Sequence, residues 1–253
     1  MKNKMLKLAL SSSLLITCAA TSVSFGHTSI EKELIDSTTT NSNNVVIAHG
    51  CTANNGKKIP VVAQSVLFPT VNPVLFRSTD LEHPATDLTL DDVLRSGSLA
   101  DIPQLIQSKE IFKFQREKKD SAGNVIGFEG FNGKLNPDFH GLVPFSTFPL
   151  SFKPESCALR LVVKIAVADI CRMSFPPRKG TANLWIPGVT NKFTEILDGT
   201  NTPKLVGWTP SLIFERPATM PIDSVTCGEG YDVLVFPSDE DVDANLPIKK
   251  RWG

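Results

Sequence analysis

The chain has 253 residues, 41% hydrophobic and 21% charged, and its 26 basic and 26 acidic side chains balance to zero. That length suits one large domain or two small ones, with enough chain to bury a sizeable core. The balanced charge gives no surplus for nucleic acid, and no apolar run beyond the N-terminus is long enough to span a bilayer.

The N-terminus is laid out as an export signal. Lys2, Lys4 and Lys7 form a positive region, Leu8 to Ile16 is a short apolar run, and small residues follow at Ala19, Ala20 and Ser22. Cleavage after Ser24-Phe25-Gly26 leaves His27 first, and cleavage after Cys18-Ala19-Ala20 leaves Thr21 first. Leu15-Ile16-Thr17-Cys18 approximates a lipobox, with Thr17 bulkier than the small residue expected before a lipidated Cys18. Residues 1–26 are therefore expected to be a signal peptide, and the protein to reach the periplasm, the cell surface or the medium.

Strand signals dominate the remainder. Residues 45–48 are short and apolar, and "KKIPVVAQSVLFPT" (57–70) is rich in β-branched residues. "EIFKFQREKKD" (110–120), the turn "SAGN" (121–124) and "VIGFEGFNG" (125–133) read as a hairpin. "VPFSTFPLSF" (143–152) is a further strand. "ALRLVVKIAVADI" (158–170) alternates Leu159, Leu161, Val163, Ile165 and Val167 on one face against Arg160, Val162, Lys164, Ala166 and Ala168 on the other. "ANLWIP", "KLVGWTPSLIF" and "YDVLVF" are shorter strands. The exception is 87–109, where Leu90, Val93, Leu94, Leu99, Ile102, Leu105 and Ile106 fall at helical spacing behind the caps Thr89 and Ser98, with Asp92 and Asp101 three residues on. This predicts two short helices in an insertion. Many short strands with Pro, Gly and Asn turns predict an all-β antiparallel sandwich over residues 27–237, followed by a polar, flexible tail over 238–253.

Cys51, Cys157, Cys171 and Cys227 remain once Cys18 is removed, an even count that reads as two disulfides in an exported chain. Cys157 and Cys171 bracket an uninterrupted strand, which holds its ends roughly 45 Å apart, far beyond the ~6 Å Cα span of a disulfide. Cys51 therefore pairs with either of these two, and Cys227 with the other. Four zinc thiolates are the rival reading, weakened by the lack of any CxxC spacing.

Four histidines are available for chemistry. His83, in a polar loop, reads as solvated surface. His27, if it is the first residue, offers an α-amine and an imidazole Nδ1 in one chelate ring, a nitrogen donor set that favours Cu(II). His49 in "VVIAHGCT" is fixed beside Cys51, which suits either a ligand or a hydrogen bond to a turn carbonyl. His140 and Asp138 flank Phe139 and share a face in extended chain, so both could reach one metal, or one could orient the other. No GxSxG, HExxH or glycine-rich phosphate loop is present, and no enzyme activity is expected.

Three segments together resemble the YcnI-like family of exported copper-binding domains: "HTSIEKE…VVIAHGCTANNGKKIPVVAQSVLFPT", "FEGFNGKLNPDFHGLVPFSTFPL" and "IAVADIC". The resemblance implies an immunoglobulin-like β-sandwich. It implies Cu(II) held by the amine and ring of His27 with a carboxylate from the aromatic strand, and the pairs Cys51–Cys171 and Cys157–Cys227. This chain departs from that pattern, with no acid after Asp138 on that strand, so either His140 or Asp138 stands in, or the site is altered or lost. The leading expectation is a copper-binding protein (Cu2+ or Cu+) for storage, delivery or sequestration. Its ligands are His27, His49 and His140 with Asp138 in support, and its partner is a copper chaperone or membrane copper transporter. The alternatives are a metal-free, disulfide-stapled envelope or interaction module, and a copper monooxygenase.

Overall fold

The computed structural model describes residues 27–53, 55–194, 209–249 and 251–252. The export signal expected over residues 1–26 lies outside the described residues. The strands are Ser29–Ile30 (β1), Leu34–Asp36 (β2), Asn41–Ile47 (β3), Cys51–Thr52 (β4), Lys58–Ile59 (β5), Val61–Leu67 (β6), Val74–Arg77 (β7), Pro103–Leu105 (β8), Phe112–Lys119 (β9), Val125–Leu135 (β10), Gly141–Thr147 (β11), Ala158–Lys164 (β12), Ala166–Ile170 (β13), Ala182–Trp185 (β14), Ser211–Glu215 (β15) and Tyr231–Phe236 (β16). The helices are Leu90–Val93 (α1), Ser224–Cys227 (α2) and Asp239–Asn245 (α3).

They assemble into a first sheet of order β1-β3-β11-β8, a second of order β14-β13-β6-β10-β9, a third of order β2-β15-β12-β16-β7, and the small pair β4-β5. Two pairings, β12 with β16 and β15 with β2, are parallel. The domain is thus mostly β with mixed sheets and some helix, rather than wholly antiparallel.

The strand expected over 158–170 belongs to two sheets. β12 runs through the middle of the third sheet and β13 through the second, with a corner at Ile165, whose N–H donates to the Pro210 carbonyl at 2.9 Å. The alternation survives the corner, because Leu161, Val163, Ile165 and Val167 all enter the main core. That core draws on every large sheet: Val45, Val143 and Phe145 from the first, Val66 and Phe128 from the second, Phe214 and Val235 from the third. Past the corner the opposite face is buried as well. Ala166, Ala168 and Ile170 face a second core that includes Phe131, Phe193, Val242, Leu246, Ile248 and Trp252.

The second core corrects the reading of 238–253 as a flexible tail. Ser238 caps α3, its hydroxyl accepting from the Asp241 N–H at 3.2 Å. Beyond the helix, Leu246, Ile248 and Trp252 are fully buried, each contributing roughly 1.5–3 kcal/mol of apolar burial. Lys118 secures this segment. Its ammonium donates to the Asn245 and Pro247 carbonyls at 2.8 and 2.9 Å and pairs with the buried Glu129 at 2.9 Å. The unpaired carbonyls at the end of α3 thereby gain a cationic partner.

The region 87–109 is also corrected. One helical turn forms, α1, with the Thr89 N–H donating to the Asp92 carboxylate at 2.8 Å. A second helix does not form. Pro103 disfavours the helical conformation at Ile102, Asp101 sits at φ 60°, and Pro103–Leu105 pairs with Phe145–Thr147 as β8.

Replacing Lys118 by Met is expected to destabilise the protein by about 2–3 kcal/mol, since Glu129 keeps only Arg116 and the carbonyls after α3 lose their donor. Denaturant unfolding checks this, with faster hydrogen exchange at the Leu246 and Ile248 amides. Adding Glu129→Leu recovers much of the loss, because the uncompensated buried charge is removed with it.

Candidate functional site

Three strand ends converge where His27 lies: Thr28 leading into β1, Asp169 near the end of β13, and Trp185 at the end of β14. Asp169 is fully buried in a run that is otherwise apolar. Its carboxylate accepts from the Thr28 hydroxyl in a short bond, from Gln64 Nε2 at 2.8 Å and from Trp185 Nε1 at 2.9 Å. All three partners are donors, so the arrangement matches an acceptor-only carboxylate. Burial nonetheless raises its pKa, and the three donors and the charge of His49 only partly oppose that. The Cys51–Cys171 disulfide closes the same corner, with an S–S length of 2.03 Å across 120 residues of sequence. The second disulfide joins Cys157 to Cys227. Both pairings are those implied by the family resemblance.

The expected copper ligands do not assemble. His27 meets the Trp185 ring edge-on, with centroids 5.0 Å apart, and its pKa is lowered by burial and then by the charge of His49. The His49 Nδ1 donates to the Gly50 carbonyl at 2.5 Å, the structural role of a turn histidine. Gly50 brings the loop at 136–140 against this turn: its N–H donates to the Pro137 carbonyl at 3.2 Å, and a Cβ there would meet the Ile59 carbonyl at 2.2 Å. The backbone of "HGC" thus meets Pro137, immediately before "DFHG", but the side chains of His49, Asp138 and His140 do not converge. Asp138 is 63% exposed and pairs with Lys58 at 2.8 Å, and His140 is exposed.

Asp169, the carboxylate of this junction, is sealed in the core and saturated with donors. Among the described residues no three His, Cys, Asp or Glu side chains are placed to hold a metal ion together. The copper site of His27, His49, His140 and Asp138 is therefore overturned. The metal-ion, copper-chaperone and copper-transporter partners fall with it, as does the copper monooxygenase alternative. His83, expected at the surface, is exposed and lies 3.2 Å from Asp80. No helix among the described residues is long and apolar enough to cross a membrane. Compared with known proteins, the chain matches no family model and no curated sequence.

What the junction does, then, is to fasten the first described residues to the body of the domain. The polar hub of Asp169, Thr28, Gln64 and Trp185 was not singled out from sequence. Its one visible signal is an acid inside the apolar run "IAVADI", a residue type that is rarely buried without partners.

A carboxyl whose folded pKa is raised binds its proton more tightly when folded, so its contribution to stability falls as pH rises through the ordinary carboxylate range. Asp169→Asn removes that titration and also loses one accepted hydrogen bond, a fixed penalty of about 1–3 kcal/mol. Urea unfolding from pH 3 to pH 6 is expected to show the wild type losing stability relative to Asp169→Asn as pH increases. A difference that stays flat or grows with pH would show that Asp169 is not held with a raised pKa.

Proposed function

We propose that this chain is an exported, disulfide-stapled interaction module that works through its protein surface rather than through a bound metal. The two disulfides are the observation that carries this reading. Each closes a long stretch of chain, 120 and 70 residues apart in sequence, and such bonds persist in oxidising compartments. The basic, then apolar, N-terminal sequence agrees with export. The mixed sheets around one shared core are read as an elaborated immunoglobulin-like sandwich, of the kind the YcnI-like resemblance implies, with the segment up to Trp252 as part of the domain.

A surface role has support in the side chains around β11. Phe139, Leu142 and Phe148 are 63, 46 and 43% exposed within ten residues of sequence. Set along β11 from one end to the other, these aromatic and aliphatic groups offer apolar contacts of the kind an association surface uses.

Expressed with its natural N-terminus, the protein is expected in the envelope or medium fraction, with all four cysteines of the domain resistant to alkylation until it is reduced and denatured. Cross-linking in situ is expected to yield a discrete heteromeric adduct. Recovery in the cytosol with free thiols at Cys51 and Cys171, or a chain that yields no adduct, overturns the reading.

A further inference from the structure

A groove of about 340 Å³ opens where the third sheet meets the C-terminal segment. Its floor is apolar: Phe76 from β7 and Phe236 from β16, set edge-to-face with ring centroids 5.4 Å apart, and Val74 beside them. These rings belong to a small cluster with Leu234, separate from the two cores. Pro187 and Pro237 line the groove as well, and their fixed φ angles make for stiff walls. The remaining lining is acidic, from Asp239 and Glu240 in the first turn of α3.

These two acids differ from the others on their helix. Asp241 accepts from Asn245, and Asp243 accepts from the Thr190 hydroxyl and the Lys192 N–H. None of the ion pairs between described residues engages Asp239 or Glu240. The groove thus carries two exposed carboxylates with no ion-pair partner among the described residues, beside an apolar floor. Partial burial raises the Asp239 carboxyl from its ordinary value, and the neighbouring Glu240 and Asp243 carboxylates push it the same way.

We propose that this groove is the docking site for a basic segment of a partner protein, a Lys or Arg side chain whose apolar stem lies over Phe76 and Phe236 while its cationic head meets Asp239 and Glu240. Long cationic side chains suit such a surface because stem and head are chemically distinct. Charge complementarity selects the occupant: an acidic segment would meet two like charges, and a purely apolar one would leave both carboxylates partly desolvated without a partner. This inference rests on reading the chain as an interaction module and names the chemistry of its partner.

The test uses the full, oxidised chain with two matched probes, acetyl-Lys-Leu-Lys-amide and acetyl-Glu-Leu-Glu-amide. The basic probe is expected to bind and shift the amide resonances of Gly188 and Ser238, more weakly as salt is raised, while the acidic probe leaves them unmoved. Asp239→Asn with Glu240→Gln is expected to weaken the basic probe at least ~10-fold while circular dichroism and both disulfides stay intact, a loss within the range measured for charge pairs. Equal binding of the two probes, equal binding to the neutralised variant, or shifts confined to other surfaces overturns the proposal. An in-situ adduct that the neutralised variant still forms also overturns the groove while leaving the interaction module standing. If the unaltered protein forms no adduct, the broader reading is the one that fails.

Discussion

Thirteen residues, Ala158 to Ile170, serve as an inner strand of both five-stranded sheets, and the rest of the fold is arranged around the corner they make at Ile165. Neither sheet can shift against the other without breaking the strand. Keeping the apolar stripe from Leu161 to Val167 continuous through the corner lets one core serve all three large sheets. A disulfide stands immediately outside each end of the run, Cys157 bonded to Cys227 and Cys171 bonded to Cys51. Cross-links at those positions fix the two ends of the one element that both sheets share, and in the chain-entropy account they remove freedom from the unfolded chain over long separations.

Buried charge does the complementary work of fastening peripheral segments to that frame. Asp169 holds Thr28 and so the first strand, Lys118 with Glu129 holds the segment after α3, and Arg216 gathers the carbonyls of Lys153, Ser156, Ala158 and Met220. In each case the charge meets several partners, as burial away from water demands. Lys118 and Arg216 also tie down backbone outside the strands, at Asn245 and Pro247 and at Lys153, Ser156 and Met220. Such anchors are specific because they fail if the segment shifts by one residue, whereas apolar packing tolerates small slips.

Local pattern carried much of this into the sequence. The hairpin of β9 and β10 is legible because Asp120 accepts from the Ala122 and Asn124 N–H groups and Gly123 takes φ 92°, turn chemistry contained within five residues. The alternation from Leu161 to Val167 is legible for the same reason, since it depends on the pleat alone. The second helix of the insertion misleads because helical spacing at Leu99, Ile102 and Ile106 is a weak signal against Pro103 and a neighbouring strand needing a partner. The C-terminal segment misleads in another way. Its charges suggest solvent, but Leu246, Ile248 and Trp252 are the residues that decide, and they find a sheet face built from strands far earlier in the sequence.

The contrast between the two disulfides and the missing metal site follows from what each demands of the chain. A disulfide needs two Cα atoms about 6 Å apart, which strand pairing beside Gly50 and the end of β13 supplies through the backbone. A metal site needs three or more side chains aimed at one point, and backbone proximity does not give that. Here the His49 imidazole already serves its own turn, Asp138 neutralises Lys58 in solvent, and the Asp169 carboxylate is enclosed by Thr28, Gln64 and Trp185. For Asp169 to reach a metal it would have to leave three donors inside the core, and each donor left unpaired there costs roughly 1–3 kcal/mol. Each of these groups is thus committed to a local contact of its own, and Asp169 spends its hydrogen bonds on holding Thr28, the residue that leads into the first strand.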